Sequence, residues 1–317
     1  MYDVAALGES LIDLTECGIN ELGIVLMARN PGGAPANCLA MNAKLGGKVA
    51  MLGMVGDDTF GRYLADNMAR GGIDTKGLVF SKEYPTTLSI VSLDAEGEKS
   101  CSFYRNPSAD MMYGWEQVDK SIIEECGIFH FGGVSLTGGP CAEATVEAAA
   151  YARAHGKIVS YDPNYRELLW NDPERAKKEL LKAVPLCDIL KVNDDELKLM
   201  CGTDDPIEGG KMLKAMGPAV VLVTLGGDGA CYVNDVCCGR VEPSKVTVRD
   251  TTGAGDAFTG AFHYVVKGRT RDELANMTAD ELDAAVRFAS AAGALTTTKI
   301  GAIPALPARE DIAALMK

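Results

Sequence analysis

A polar segment with two glycines, residues 249–261 (RDTTGAGDAFTGA), combines the residue types needed to bind an anion and to move a proton. Gly253 and Gly255 let the backbone approach an anion closely, and a helix of small residues is predicted to begin directly after them. The free amides of its first turn, aided by the helix dipole, would stabilise phosphate charge. Asp256 lies at the same helix start, where it can accept a proton from a hydroxyl beside the phosphate. The segment predicts in-line phosphoryl transfer with Asp256 as the base.

An ordinary helix start is the alternative interpretation of this segment. An Asp that caps a helix and glycines that permit a turn give the same residue pattern. The sequence contains no G-x-x-x-x-G-K-[ST], no HRD and no DFG, which argues against a P-loop enzyme or a protein kinase.

A second glycine-rich turn, residues 31–37 (PGGAPAN), precedes a helix predicted to begin near Pro35. Asn37 would face back over Gly32 and Gly33, and with Asp13 it could hydrogen-bond the hydroxyls of a neutral polyol. Simple helix capping by Asn37 and a solvated loop at Asp13 are the alternatives.

Polar residues also follow two predicted strands, where a parallel sheet presents its ligands. Arg166 comes after the apolar run 158–161 and could clamp phosphate oxygens, although a lone arginine is more often a surface residue. Asn193 and Glu196 follow the run 189–192 and could orient a hydrated Mg²⁺. An acidic helix start favoured by the dipole explains the same two residues.

A third glycine-rich stretch, residues 223–230, follows the apolar run 220–224. Four of its residues could lie along the phosphates of a nucleotide, namely Thr224, Gly226, Gly227 and Gly229. A β-turn between two strands is at least as good an explanation of this stretch.

The elements that must position these residues are short apolar runs that alternate with helical patterns. The runs are residues 4–7, 49–54, 128–131, 158–161, 189–192 and 220–224, and the helical patterns include 142–155, 173–184 and 206–216. This order predicts an α/β fold with a mainly parallel central sheet and helices on both faces. Its ligands should lie at the carboxyl ends of the strands.

Two regions interrupt this alternation and predict a small β-rich lid. Residues 86–94 and 99–105 are rich in Thr, Ser and aromatic residues, with a predicted hairpin turn at 95–98, and residues 13–27 look extended. We therefore predict one domain, 1–317, with a lid formed by about 13–30 and 84–110.

The composition narrows the classes of partner. With 31 Lys and Arg against 44 Asp and Glu, the net charge of −13 argues against nucleic acid and anionic membrane surfaces. The 10 cysteines form no C-x-x-C pair, which argues against zinc or redox chemistry. The chain shows neither a signal peptide nor the roughly 18 apolar residues of a membrane helix, so a cytoplasmic location is expected.

Taken together, residues 32–37 and 250–256 resemble the two signature regions of the ribokinase-like, or PfkB-type, carbohydrate kinase family, in the order that family has them. The similarity extends from the first strand to residues 300–304. It implies ATP and Mg²⁺, transfer to a primary hydroxyl, and an anion hole at Gly253, Ala254, Gly255 and Asp256. It also implies a site for a monovalent cation such as K⁺, to which Asp250 and Thr252 would contribute, with backbone carbonyls near Thr296, Lys299 and Gly301.

Within the family, residues 103–111, 162–166 and 169–170 are most similar to bacterial fructokinases, which implies conversion of fructose to fructose 6-phosphate. The 2-keto-3-deoxygluconate kinases have a comparable pattern and would use Arg105 or Arg166 against a carboxylate, and ribokinase is a further alternative. A catalytically silent sugar sensor belongs to a different class and should have lost Asp256 or the glycines. A homodimer through the lid would cover exposed strand edges.

Overall fold

The predicted strands lie in a nine-stranded sheet of the computed structural model, which describes residues 1–93 and 99–317. In chain order the strands are β1 Tyr2–Leu7, β2 Leu11–Ile19, β3 Val25–Gly32, β4 Val49–Gly56, β5 Ile73–Ser81, β6 Leu88–Leu93, β7 Lys99–Tyr104, β8 Cys126–Gly132, β9 Ile158–Asp162, β10 Ile189–Asn193, β11 Val220–Thr224, β12 Ala230–Val233 and β13 Cys238–Val241. All six apolar runs named above fall within these strands.

The helices connect the strands and cover both faces of the sheet. They are α1 Ala34–Lys44, α2 Thr59–Arg70, α3 Lys120–Glu124, α4 Pro140–Ala154, α5 Glu167–Trp170, α6 Pro173–Ala183, α7 Asp194–Cys201, α8 Pro206–Lys214, α9 Ala254–Val266, α10 Arg271–Ala275, α11 Ala279–Thr296 and α12 Arg309–Leu315. The three helices predicted from the sequence correspond to α4, α6 and α8, with ends that differ by at most two residues.

The main sheet has the strand order β13-β12-β11-β10-β9-β8-β1-β4-β5. Every neighbouring pair from β11 to β5 is parallel, and β12 and β13 continue the sheet as antiparallel strands. The mainly parallel sheet predicted from the sequence is confirmed. Because the parallel strands all point the same way, the residues that follow them meet at one edge of the sheet.

Side chains of β1 alternate between two apolar cores. Val4 and Ala6 pack with α1, α9 and α11, whereas Ala5 and Leu7 pack with α4 and α6 on the opposite face. This period of two, with both faces buried, is the reason that the strand reads as a continuous apolar run.

Helices α1 and α9 pack closely on one face of the sheet. A side chain at Gly260 of α9 would overlap the carbonyl of Cys38 in α1, so only glycine allows this approach. The Asn42 side chain of α1 donates a hydrogen bond to the Gly260 carbonyl at 3.2 Å. The close contact holds the first turns of both helices at the same edge of the sheet.

A separate four-stranded sheet forms the predicted lid, in the order β3-β2-β6-β7. The β2 and β6 strands are parallel, and the two outer pairs are antiparallel. Strand β2 begins two residues earlier than predicted, because Leu11 and Ile12 are buried and already pair with Gly32 and Pro31 of β3. The hairpin turn predicted at 95–98 lies outside the described residues.

In the parts of the chain that the structure describes, none of the helices is both long and apolar enough to cross a membrane.

Candidate active site

A cleft of about 820 Å³ lies where the carboxyl ends of the parallel strands face the lid. Most of the site residues predicted from the sequence line this cleft. They are Asp13, Gly33, Asn37, Arg166, Asn193, Glu196, Asp250, Thr252, Gly253, Gly255, Asp256 and Gly301. These residues come from six separate regions of the sequence, which the fold brings to one edge of the sheet.

Asp256 lies in the first turn of α9, facing the cleft. The helix begins after Gly253, which has a left-handed backbone with φ of 77°. The Ala254 amide donates to the Thr251 carbonyl at 3.2 Å, and Ala254 itself does not line the cleft. The amides of Gly255 and Asp256 come next in the turn, where an α-helix leaves its amides without intrahelical acceptors. This helix start can therefore bind an anion beside the Asp256 carboxylate.

The pKa of Asp256 is raised to about 6 because the carboxylate is removed from water, and the charge of Asp162 adds to that rise. Three neighbours oppose it, namely the Asn37 amide, Arg166 and Lys191. The Asn37 side chain donates to Asp256 Oδ2 at 2.8 Å. A carboxyl with a pKa of this value remains ionised at neutral pH and has more affinity for a proton than an exposed Asp has.

Asn37 owes its position to the glycine-rich turn at the end of β3. Gly33 has φ of 112°, and a side chain on it would overlap the Glu9 carbonyl. Glu9 Oε1 accepts a hydrogen bond from the Ala34 amide at 3.0 Å, at the start of α1. The turn therefore rests on the segment after β1, and α1 starts with Asn37 facing Asp256. The capping role considered for Asn37 belongs to Glu9 instead.

Asp13 lies on β2 with its side chain in the cleft and next to Gly32. Burial raises the pKa of Asp13, and the Ser89 hydroxyl and Arg166 oppose the rise. Gly32 does not line the cleft, and a Cβ on it would overlap the Asp13 carboxylate. Arg166 is exposed at the cleft, and its guanidinium is held only by the carbonyl of Tyr165 at 3.1 Å among the described contacts. Arg166 is close enough to Asp13 and to Asp256 to lower the pKa of each.

Arg105 does not line the cleft. Its guanidinium is buried, with Nε 2.7 Å from Asp110 Oδ2 and Nη1 2.7 Å from the Thr137 hydroxyl. It also donates to the Val134 carbonyl at 3.3 Å. Arg105 was predicted to bind the substrate, but the structure places it outside the cleft. Its donors are already used by the buried Asp110 carboxylate, the Thr137 hydroxyl and the Val134 carbonyl.

Asn193 and Glu196 form a capping box at the start of α7. Asn193 Oδ1 accepts from the Glu196 amide at 2.7 Å, and Glu196 Oε2 accepts from the Asn193 amide at 2.8 Å. Glu196 Oε1 also accepts from the Tyr165 amide at 2.8 Å. Each carboxylate oxygen retains a further lone pair, so the pair fits a hydrated Mg²⁺ bound through water better than a directly bound ion. Asn193 and Glu196 can therefore cap α7 and also bind a cation through water.

The predicted nucleotide-binding glycines form the turn between β11 and β12. Residues 223–230 thus have the β-turn that was the alternative interpretation. Gly226 and Gly227 are exposed, and a Cβ on either would contact nothing, although φ of 54° at Gly226 favours glycine there. Neither they nor Thr224 and Gly229 line the cleft. Thr224 does pair with Asn193 in the parallel register of β11 and β10, so the turn continues outward from the cleft edge.

Asp250 connects the two loops predicted to hold a monovalent cation. Its Oδ1 accepts from the Thr252 amide and hydroxyl at 3.1 and 2.7 Å, and its Oδ2 accepts from the Gly301 amide at 2.9 Å. Thr296 is buried with its hydroxyl bonded to the Ala292 carbonyl at 2.9 Å, and the Lys299 side chain is exposed. Asp250, Thr252 and Gly301 thus border the cleft, while Thr296 and Lys299 lie outside its lining.

Two buried charged residues of the cleft, Lys191 and Glu9, were not among the predicted site residues. Lys191 Nζ lies 3.2 Å from Asp162 Oδ2 and would be 3.0 Å from a Cβ on Gly255. Burial disfavours its charge, but Asp162, Glu196 and Asp256 outweigh burial and raise the pKa of the lysine. A lysine within the apolar run 189–192 was a usable signal, because a buried strand seldom has a charge without a partner.

This chain is similar to known proteins along nearly its whole length. The family model for pfkB family carbohydrate kinases matches residues 1–309. Fructokinase-1 of Oryza sativa subsp. japonica is 40% identical, over 99% of this chain and 97% of that protein.

Two solved structures are similar over nearly the whole chain. The fructokinase of Xylella fastidiosa with bound ATP has a TM-score of 0.91 and 31% identity, covering 100% of this chain and 98% of its own. The fructokinase of Vibrio cholerae O395 in its fructose, ADP and calcium ion bound form has a TM-score of 0.87 and 32% identity, covering 99% and 98%. The family match over residues 1–309 and the similarity in sequence and fold along nearly the whole chain show that this chain belongs to the pfkB family of carbohydrate kinases.

Proposed function

We propose that this chain transfers the γ-phosphoryl group of ATP to the primary hydroxyl of D-fructose, giving fructose 6-phosphate and ADP. The observation that carries the proposal is Asp256, a carboxylate with a raised pKa at an anion-binding helix start, oriented by Asn37 at 2.8 Å. The names of the relatives support the acceptor, and the Vibrio cholerae structure contains fructose and ADP.

In this mechanism Asp256 takes the proton of the acceptor hydroxyl as that oxygen attacks the γ-phosphorus. The bond from phosphorus to the departing ADP oxygen breaks as the bond to the acceptor oxygen forms, so no phosphoenzyme forms. Asp256 then releases the proton to solvent, which restores the base for the next turnover. The amides of Gly255 and Asp256 would stabilise the negative charge on the transferred group. Arg166, which is exposed and weakly held, would bind phosphate oxygens once ATP is present.

We infer that the nucleotide extends from this helix start past Asn193 toward the turn after β11. Mg²⁺ would be held through water by Asn193 and Glu196 and would neutralise charge on the phosphates. Thr224 and the glycines of the turn would border the outer part of the nucleotide. Among the described residues no group of three or more His, Cys, Asp and Glu could hold a metal ion alone, which suits a cation bound largely by phosphate and water.

We propose that Asp250 and Thr252 help to bind a K⁺ ion beside the anion hole. Asp250 already joins its own loop to Gly301. Backbone carbonyls near Thr296, Lys299 and Gly301 would complete the coordination. The ion would then hold the loop that leads into α9 and thereby place the anion-binding amides.

A lid-to-lid homodimer is the assembly that we propose. The lid has large apolar side chains on its surface, including Ile19, Leu22, Ile24 and Tyr104, of which Leu22 is 82% exposed. Strand β3 is an edge of the four-stranded sheet, and an uncovered edge readily pairs with another chain.

All ten cysteines are free, which is typical of a reducing, cytoplasmic setting.

The acceptor is tested by ADP release in a coupled assay with fructose, ribose, 2-keto-3-deoxygluconate and a nucleoside. We expect fructose to give the highest kcat/KM, and we expect K⁺ to support a higher rate than Na⁺ at equal ionic strength. A preference for another acceptor would contradict the fructose proposal and leave the kinase proposal intact. Binding of sugar and ATP without any ADP release would indicate the silent sensor instead.

Asp256→Asn tests the base directly. We expect kcat to fall by about 10²- to 10⁴-fold, because the amide cannot accept the proton, while the dissociation constant of the sugar changes little. The rate comes from the coupled assay and the dissociation constant from calorimetry. Asp172→Asn is the matched control, since Asp172 only caps α6 by accepting from the Glu174 amide at 2.9 Å. Equal rates in the two variants would remove Asp256 from the base role.

The pH dependence follows from the pKa of Asp256, which is about 6. The base acts when deprotonated, so kcat/KM should be constant above this pH and fall about tenfold for each unit below it. Asn37 lowers this pKa, so Asn37→Ala should move the acidic limb to higher pH. The profile is measured from pH 5 to 8, with circular dichroism showing that the fold persists. A profile that is flat down to pH 5 would contradict this prediction.

Leu22→Glu tests the dimer, because a buried charge would destabilise a lid-to-lid interface. Sedimentation equilibrium should give twice 33.5 kDa for the native chain and a much weaker association for the variant. Val146→Glu is the control, since Val146 is an exposed apolar residue of α4, outside the lid. A native chain that sediments as a monomer at micromolar concentration would overturn this proposal.

A further inference from the structure

Glu9 lies in the wall of the cleft with only half of its carboxyl engaged. It follows the carboxyl end of β1 and is 3% exposed. Oε1 accepts from the Ala34 amide at 3.0 Å. Oε2 is buried and has no hydrogen-bond partner among the described residues. One oxygen thus supports the start of α1, and the other accepts no hydrogen bond from the described residues.

A buried acceptor without a partner is costly, and native structures keep few of them. Asn37, in the same wall, shows the same division. Its Nδ2 donates to Asp256, while its Oδ1 is buried and has no partner among the described residues. Glu9 and Asn37 both adjoin the first turn of α1. Two unsatisfied acceptors in one wall indicate a ligand that brings hydroxyl donors.

We propose that Glu9 is a sugar-binding residue whose Oε2 hydrogen-bonds one hydroxyl of the acceptor, other than the hydroxyl that faces Asp256. This inference rests on the proposed function and deepens it. The contact would join the structural role of Oε1, so that one side chain both positions α1 and recognises the sugar.

The charge around Glu9 favours a neutral sugar over a sugar acid. Burial raises the pKa of Glu9 to about 7; the amides of Glu9 and Ala34 and the charge of Arg105 oppose this rise, and Asp110 adds to it. Either protonation state can hydrogen-bond a hydroxyl, since the acid donates and the carboxylate accepts. A carboxylate on the acceptor would instead lie in the same cleft as Glu9, Asp13 and Asp256, whose repulsion Arg166 would only partly offset. Like charges at short range disfavour such a ligand.

The test compares the native chain with Glu9→Met on the preferred acceptor and on its analogues that each lack one hydroxyl. We expect Glu9→Met to raise the KM of the complete sugar about tenfold, the effect of one lost hydrogen bond, with the KM of ATP unchanged. For one analogue the KM ratio between variant and native chain should be about tenfold smaller than for the complete sugar, because its partner hydroxyl is already missing, whereas the lost support of Ala34 affects every analogue alike.

A purely structural role gives a different result. If Glu9 only supports Ala34, the ratio will be the same for every analogue, and that outcome would overturn the proposal. Ser135→Ala is the matched control, because its hydroxyl is also buried and partnerless among the described residues but does not line the cleft. It should give a ratio near 1 for every sugar.

Two further arrangements keep the test decisive. Should Glu9→Met fail to fold in a thermal unfolding assay, Glu9→Gln keeps an acceptor for Ala34 and replaces the other oxygen by an amide donor. This change alters the hydrogen bond to one hydroxyl only, so the KM ratio should still differ for one analogue, and an equal ratio across the series would overturn the proposal. Should the native chain prefer an acceptor other than fructose, the series is made from that acceptor, so the two proposals fail separately.

Discussion

The hydrogen bond from Asn37 to Asp256 is the contact on which the candidate active site depends. It joins the first turns of α1 and α9, and the two residues are 219 positions apart in the chain. The helices can meet because Gly260 lets α1 approach α9, and Asn42 holds the contact deeper in the core. The bond orients the Asp256 carboxylate and lowers its proton affinity, while burial raises it. The result is an acid group suited to accepting a proton near neutral pH.

Burial of charge determines the character of the whole cleft. Asp256, Glu9 and Glu196 all have a raised pKa because the fold removes them from water, and Lys191 counters this effect for Asp256 and Glu196. The lysine itself stays charged because Asp162 lies 3.2 Å away. A wall with so many acids suits a neutral polyol, whereas the phosphates meet backbone amides, Arg166 and cations. Sugar and nucleotide are thus recognised by different physical means within one cleft.

The two motifs and the parallel sheet could be predicted because they depend on short-range patterns. Apolar runs of four to six residues reflect burial on both faces, and the glycines at 253 and 255 mark a helix start that binds anions. Arg105 shows where such reasoning ends. Its partners, Asp110, Thr137 and the Val134 carbonyl, include two residues about thirty positions away in the chain, so no local pattern could reveal that its donors are used.

The sequence by itself determined the family, the order of the elements and the identity of the proposed base. Only the tertiary structure decided which side chains share the cleft, because strand order and helix packing bring distant residues together. Lys191 and Glu9 entered the site in this way, one from the middle of an apolar strand and the other beneath the turn at Gly33. The pKa values of Lys191 and Glu9 depend on charged neighbours that lie close in space and far apart in sequence, because electrostatic interactions depend on distance in space.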